Sequence, residues 1–174
     1  AGVSLSRHTV AAWKAVMGEE RREIIDDAKC ENCHEWFEGH GGNRVRTTQV
    51  CAMCHNPNLT SGGKTGTVAS LKDPYKSLLI AAGFNANDPL TWPEESNNLK
   101  DMIHSIHAAA VRDNKFEFVR YRSGTSYFYD FSEVTYSGVL TNCQMCHKAG
   151  TYGPALKDGV LESTQMTTDG YNQN

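Results

Sequence analysis

Apolar residues recur at i, i+3, i+4 and i+7 most clearly over 97–111, where Leu99, Met102, Ile103, Ile106 and Ala110 mark the buried stripe of a helix. A looser version covers 9–29, with Val10, Trp13, Ala15, Met17, Ile24, Ile25 and Ala28 as apolar positions and Ser6 or Thr9 as cap. Gly18 and the solvated charge run at 19–23 interrupt it. This pattern predicts an N-terminal helix within 1–29 that delivers the chain to Cys30. A short helical piece, Glu35-Trp36-Phe37-Glu38, is expected to stop at Gly41-Gly42, and another short helix is expected over 74–82. Between Lys115 and Phe131 the residues Phe116, Phe118, Tyr121, Tyr127, Phe128, Tyr129 and Phe131 flank Ser123-Gly124, which reads as a β-hairpin whose aromatics serve packing. Pro57 and Ser61-Gly62-Gly63 open a loop, Asn85 to Ser96 is irregular, and the chain from Gly159 onward reads as a polar tail over 159–174. The expected fold class is mainly α, with much irregular coil and one small β-hairpin.

Length and composition narrow the picture. With 174 residues the chain suffices for a single domain, 1–174. The longest apolar run, Leu78 to Ala82, is far short of the ~20 residues of a transmembrane helix, so no transmembrane segment is expected. A net charge of −3 argues against nucleic acid as a partner. Gly63-Lys64-Thr65 resembles the end of a phosphate loop, but Asn58 stands where its first Gly belongs, and a plain loop is the better reading. At 39% hydrophobic residues and a mean hydropathy of −0.52, the chain is slightly poor in core formers. Something else has to fill the interior.

The cysteines supply a candidate. All six fall in pairs with a His directly after: Cys30-Glu31-Asn32-Cys33-His34, Cys51-Ala52-Met53-Cys54-His55 and Cys143-Gln144-Met145-Cys146-His147. This is the attachment string of c-type haem, in which two thiols add to two vinyl groups and the adjacent His binds iron from the proximal side. A zinc ribbon uses pairs of pairs and asks for no following His, so three pairs leave one half-site over. A thioredoxin-like motif expects one pair on a βαβ scaffold. Two-residue gaps make poor disulfide staples. Chance placement of His after all three pairs has odds on the order of 10⁻⁴ or less. Three covalent haem c groups follow, with Cys30, Cys33, Cys51, Cys54, Cys143 and Cys146 as tethers and His34, His55 and His147 as proximal ligands. Their propionates take the loaded protein to roughly −6, and the apolar rings make folding depend on haem.

Four histidines remain for the distal iron faces: His8, His40, His104 and His107. Among the methionines, Met53 and Met145 lie inside attachment loops and Met102 belongs to the helical stripe. His104 and His107 stand at i and i+3, with Cβ atoms about 5–6 Å apart on one helix edge. Such neighbours cannot clamp one iron from both sides. They can serve two different haems, which brings those haems close. His40 precedes Gly41-Gly42, which admits a ring close to the backbone. His8 is the spare. Three distal ligands, His40, His104 and His107, complete a low-potential, all-His set.

Longer strings around these sites resemble a known family. Arg22-Glu23-Ile24-Ile25-Asp26-Asp27-Ala28-Lys29, His40-Gly41-Gly42-Asn43-Arg44, Cys54-His55-Asn56-Pro57, Met102-Ile103-His104-Ser105-Ile106-His107-Ala108-Ala109 and Asn142-Cys143-Gln144-Met145-Cys146-His147 are similar to the outer-membrane decahaem cytochromes of metal-reducing bacteria, the OmcA/MtrC family. The resemblance implies a multihaem cytochrome c fold organised around stacked bis-His haems, an electron-conducting chain at the cell surface, and His40, His104 and His107 as distal ligands. The family's haem modules carry five haems and are flanked by β-barrel domains. This chain has three strings, and Tyr136-Ser137-Gly138 stands where the family has Tyr-Pro-Gly. It is expected to be a compact three-haem relative or a piece of a larger cytochrome.

The resulting reading is an electron-transfer protein rather than an enzyme. Its expected partners are other multihaem cytochromes or copies of itself, together with extracellular electron acceptors. Haem c maturation takes place outside the cytoplasm, so an exported chain is expected, at the cell surface or beyond it ahead of the periplasm. Two alternatives stand beside it. One is the repeating subunit of a conductive cytochrome filament; the other is a multihaem reductase with one open haem, which four candidate His for three irons disfavour.

Overall fold

The structure is a computed structural model that describes residues 23–35, 38–40, 44–45, 47–62 and 66–152. Among these the helices are α1 (Asp27–Cys30), α2 (Thr48–Cys54), α3 (Tyr75–Ala81) and α4 (Leu99–His107), of four, seven, seven and nine residues. Two antiparallel pairs accompany them, β1 (Glu38–Gly39) with β2 (Arg44–Val45) and β3 (Glu117–Arg122) with β4 (Thr125–Asp130). The mainly helical expectation is therefore wrong. Helices of this length do not support themselves, and Pro74, Gly83, Pro89 and Pro93 cut the chain between them. Turns and coil carry most of the described structure.

The expected helix over 9–29 lies outside the described residues up to 22. Beyond that it fails until Asp27, because Ile25 leaves the helical path to pair antiparallel with His147. Of the expected piece 35–38, residues 36 and 37 lie outside the description and Glu38 is in a strand. The Gly41-Gly42 stop, Gly63-Lys64-Thr65, His8 and the tail 159–174 also lie outside it. The short helix near 74–82 and the aromatic hairpin stand as expected, whereas the helix expected over 97–111 runs only from Leu99 to His107, and of its expected buried stripe Leu99, Met102, Ile103 and Ile106 are only half-buried and Ala110 is exposed.

The described residues belong to two compact units, one made of those within 23–54 and 138–152, the other of those within 55–137. In the first, the Asp26 N–H donates to the Cys146 carbonyl and the Lys148 N–H to the Ile24 carbonyl, each at 2.9 Å. The Asp27 carboxylate accepts the Thr48 N–H at 3.1 and 3.2 Å, placing a negative charge at the start of α2.

The second unit holds a core of Leu71, Leu79, Ala86, Trp92, Val119 and Phe128, with Tyr75, Ala82 and Phe84 against it. The hairpin turns through Ser123 and Gly124, both at positive φ (50° and 87°), the backbone of a tight primed turn. Trp92 comes from the irregular stretch 85–96, and its Nε1–H donates to the Asn85 carbonyl at 2.9 Å. The Val119 N–H donates to the Pro93 carbonyl at 3.0 Å, tying that stretch to β3. From there the chain runs antiparallel to 59–61, with Thr60 opposite Ser96, and enters α4.

Candidate functional site

The three Cys-x-x-Cys-His strings each form a turn. In the first, the His34 N–H donates to the Cys30 carbonyl at 2.9 Å; in the third, the His147 N–H donates to the Cys143 carbonyl, also at 2.9 Å. In the second, Cys51 and Cys54 occupy the end of α2 and His55 follows directly. The second string is thus the end of an α-helix, which places residues at i, i+3 and i+4 on one side, the first continues from α1 as a turn, and the third is a 3-10 turn whose His147 is extended. In every string one cysteine is half-buried (Cys30, Cys51, Cys146) and its partner exposed (Cys33, Cys54, Cys143). Exposed apolar side chains stand beside them: Met53 inside the second string, Val139 and Leu140 just before the third.

The structure brings the first and third strings together. Burial, and after it the neighbouring Cys146, pushes the Cys30 thiol up to about 11. Burial followed by Cys33 raises Cys146 as well, with Lys29 opposing. These are protonated thiols, unlike the low-pKa nucleophile of a redox-active pair. Burial, then the Lys29 ammonium, holds His147 below the usual imidazole range, favouring the neutral form that a metal requires. The edge of His147 is covered by Tyr152, ring centroids 5.2 Å apart.

His55 is fixed by the second unit. Its Nδ1 lies 2.7 Å from the Asn97 carbonyl oxygen. A carbonyl only accepts, so Nδ1 carries the proton and Nε2 keeps its lone pair for a metal. Asn97 is held in turn by its N–H donating to the Leu59 carbonyl at 2.9 Å and by Arg120, whose Nη1 donates to its Oδ1 at 3.4 Å. On α4, His107 places Nδ1 2.8 Å from the Ile103 carbonyl and packs edge-on against Tyr136 at 5.4 Å. His104, one turn earlier, is exposed. His40 is exposed too, directly after β1, with φ +54°. That left-handed backbone is uncommon for a residue with a side chain and clusters at functional positions. The structure thus places His104, His107 and His55 in one unit and His34, His40 and His147 in the other.

These residues fit a covalently held haem. Paired sulfurs on turns, the imidazoles of His55 and His107 with Nδ1 on a backbone carbonyl, and bare apolar side chains alongside are the chemistry such a group uses. Among the described residues no three His, Cys, Asp or Glu side chains converge as they do around a bare metal ion. Nor is any helix among them long and apolar enough to cross a membrane.

Sequence reasoning missed Asn97 and Lys29. Ser96-Asn97-Asn98 is a run of small polar residues before a helix, which signals capping but says nothing of an imidazole. Lys29 gave no signal, because its partners are carbonyls on a segment 115 and 118 residues away.

Compared with known proteins, the chain matches the family model described as outer membrane cytochrome MtrC/MtrF-like, domains II/IV, over residues 22–173. No curated protein and no solved structure matches it.

Proposed function

The chain belongs to the MtrC/MtrF-like outer membrane cytochromes, and on that premise we propose that it carries three covalent haem c groups and relays electrons among them at the cell surface. When bound, the cofactor supplies one-electron iron chemistry. The protein's part is to tether, ligate and cover it. Cys30 and Cys33, Cys51 and Cys54, and Cys143 and Cys146 are the tethers. His34, His55 and His147 are the proximal ligands, and His40, His104 and His107 the distal ones.

Each side chain has a definable task. The Asn97 carbonyl fixes the His55 tautomer and makes its Nε2 more basic; the Ile103 carbonyl does the same for His107. More basic ligands favour ferric iron and lower the potential. Met53, Val139 and Leu140 are exposed and adjacent to tethers, so an attached ring covers them. Electrons reach the chain from other multihaem cytochromes or further copies of it, and leave to acceptors outside the cell.

The observation that carries this reading is the turn that the Cys-x-x-Cys-His strings form, closed in the first and the third by the His N–H on the carbonyl of the first Cys at 2.9 Å. It is tested by expressing the chain with the c-type haem maturation machinery and counting haem by pyridine haemochrome, alongside a low-temperature paramagnetic resonance spectrum. Three haems per chain, all low-spin in the ferric state, are expected. Two or fewer overturn the stoichiometry; a high-spin component in the intact protein overturns the all-His ligation.

A further inference from the structure

The side that α4 turns inward is polar. Asn98 at its cap, Ser105 within it and Ala109 just past its end are buried, and Asp101 between them is mostly covered. Spaced three and four residues apart, they mark one side of the helix. The apolar stripe beside them is only half-buried. Hydrophobic burial along this helix is too slight to fix its rotation alone, and directional bonds take that part. At the start of α4, Asp101 Oδ2 accepts from Ser96 Oγ at 2.6 Å and from Asn98 Nδ2 at 3.4 Å. At the other end the chain passes through a 3-10 turn, Ala109–Val111, and Arg112 reaches back. Its Nη1 donates to Ser105 Oγ at 2.5 Å and its Nε to the Asn114 carbonyl at 3.0 Å. Its Cζ stands 6.0 Å from the ring centre of the buried Phe116. Its charge also attracts the half-buried Glu95 carboxyl, against the repulsion of Asp101 and Glu117. Ser105 directly follows His104 and comes two residues before His107.

We propose that Arg112 is the positioning residue of α4: by gripping Ser105 it fixes the rotation and axial position of the helix, and with them the reach of His104 and His107 to the irons they serve. This rests on the three-haem reading above. Arg112 acts on iron only through the helix. A planar guanidinium suits the task, because its fork holds Ser105 and the Asn114 carbonyl at once while its face lies toward an aromatic ring. Since the inward side of α4 offers a hydroxyl where most helices offer a Leu, one donor at Ser105 does the work that interlocking apolar side chains do elsewhere.

The test is the rate at which carbon monoxide binds the fully matured, fully reduced protein, since it enters a six-coordinate haem only after the distal imidazole leaves. Three phases are expected, one per haem. His104→Gly and His107→Gly each make one phase fast and so identify it. In Arg112→Met the His104 and His107 phases are both expected to quicken by about tenfold, while the phase of His40, which belongs to the other unit, keeps its rate. Arg112→Lys restores a cation and a donor and is expected to slow both phases again. Ser105→Ala removes the acceptor alone and is expected to quicken the same two phases at normal haem content; should Arg112→Met not mature, this variant decides. Fewer than two phases quickened would show that α4 is seated without Arg112, and all three quickened that the residue serves overall stability; either result overturns the proposal. Fewer than three haems in the unmutated protein count against the three-haem reading instead, so the two failures are distinct.

Discussion

The His55 imidazole Nδ1 lies 2.7 Å from the Asn97 carbonyl, and the His55 carbonyl accepts the N–H of Leu99, two residues further on, at 3.0 Å. The bond that orients the imidazole is thus made by the same segment whose next residues begin α4. Asn97→Gly frees that backbone and removes the tie to Arg120. A weaker Nδ1 bond makes His55 a poorer donor to ferric iron. On the proposed three-haem reading, one of the three potentials is expected to rise by on the order of 30 mV, the other two holding still. A redox titration with all three unmoved counts against the Asn97 role.

His104 and His107 stand at i and i+3 on α4, and on the proposed three-haem reading neighbours at that spacing serve different irons. His104→Gly and His107→Gly are therefore each expected to convert one haem to high spin, and the double variant two. Paramagnetic resonance of the ferric protein counts them. A double variant with a single high-spin haem would place both residues on one iron and sink the assignment.

Glu95 gives the protein a pH-dependent stability. Burial pushes its carboxyl from 4.5 up to about 7, with Arg112 opposing and Asp101 and Glu117 adding to the rise. Between those values the folded chain keeps a proton that the unfolded chain has lost, so stability falls as pH climbs through the window. Allowing for partial solvent screening, the loss is about 2 kcal/mol by pH 8. Glu95→Gln is expected to raise Tm at pH 8 and leave it unchanged at pH 4. Equal gains at both pH values would mean that the carboxyl does not titrate there.

Ser123 occupies a left-handed position in the β3–β4 turn, at φ 50°, where a residue with a side chain is disfavoured. Asn is the usual partner of a following Gly in such turns. Ser123→Asn is expected to stabilise the protein by about 0.5 kcal/mol, seen as a higher urea midpoint at unchanged slope. A lower midpoint would mean that the Ser123 side chain does something in the turn that its backbone angles do not reveal.

The Cys-x-x-Cys-His strings stand out in the sequence because covalent chemistry dictates residue type and spacing locally, and the hairpin was legible because alternation and its turn lie within a few residues. Helix content was over-read for a physical reason. Periodicity detects an apolar face but not what will cover it: Ile24 and Ile25 fit a helical stripe, yet Ile25 pairs in extended form with His147. Lys29 and Asn97 act on partners that only the folded chain supplies. The stretch 85–96 has no period at all, so its contribution to the core was invisible.

That contribution is concentrated in Trp92, 1% exposed among Leu71, Leu79, Ala86, Val119 and Phe128, with its Nε1–H on the Asn85 carbonyl. Trp92→Ala leaves a large cavity and is expected to cost roughly 3–5 kcal/mol. Trp92→Phe keeps most of the volume and loses one hydrogen bond, about 1 kcal/mol. The two differ also in reach. Pro93 follows Trp92 and anchors to Val119, and the chain then runs through Ser96 to the Asn97 carbonyl on His55. A core that shifts under Trp92→Ala is expected to move that carbonyl and raise the same potential that Asn97→Gly raises, while Trp92→Phe leaves it alone. Calorimetry and redox titration on the two variants check both halves. A destabilised Trp92→Ala with unchanged potentials would show that 95–99 is set by its pairing with 55–61 alone, independent of the core beneath it.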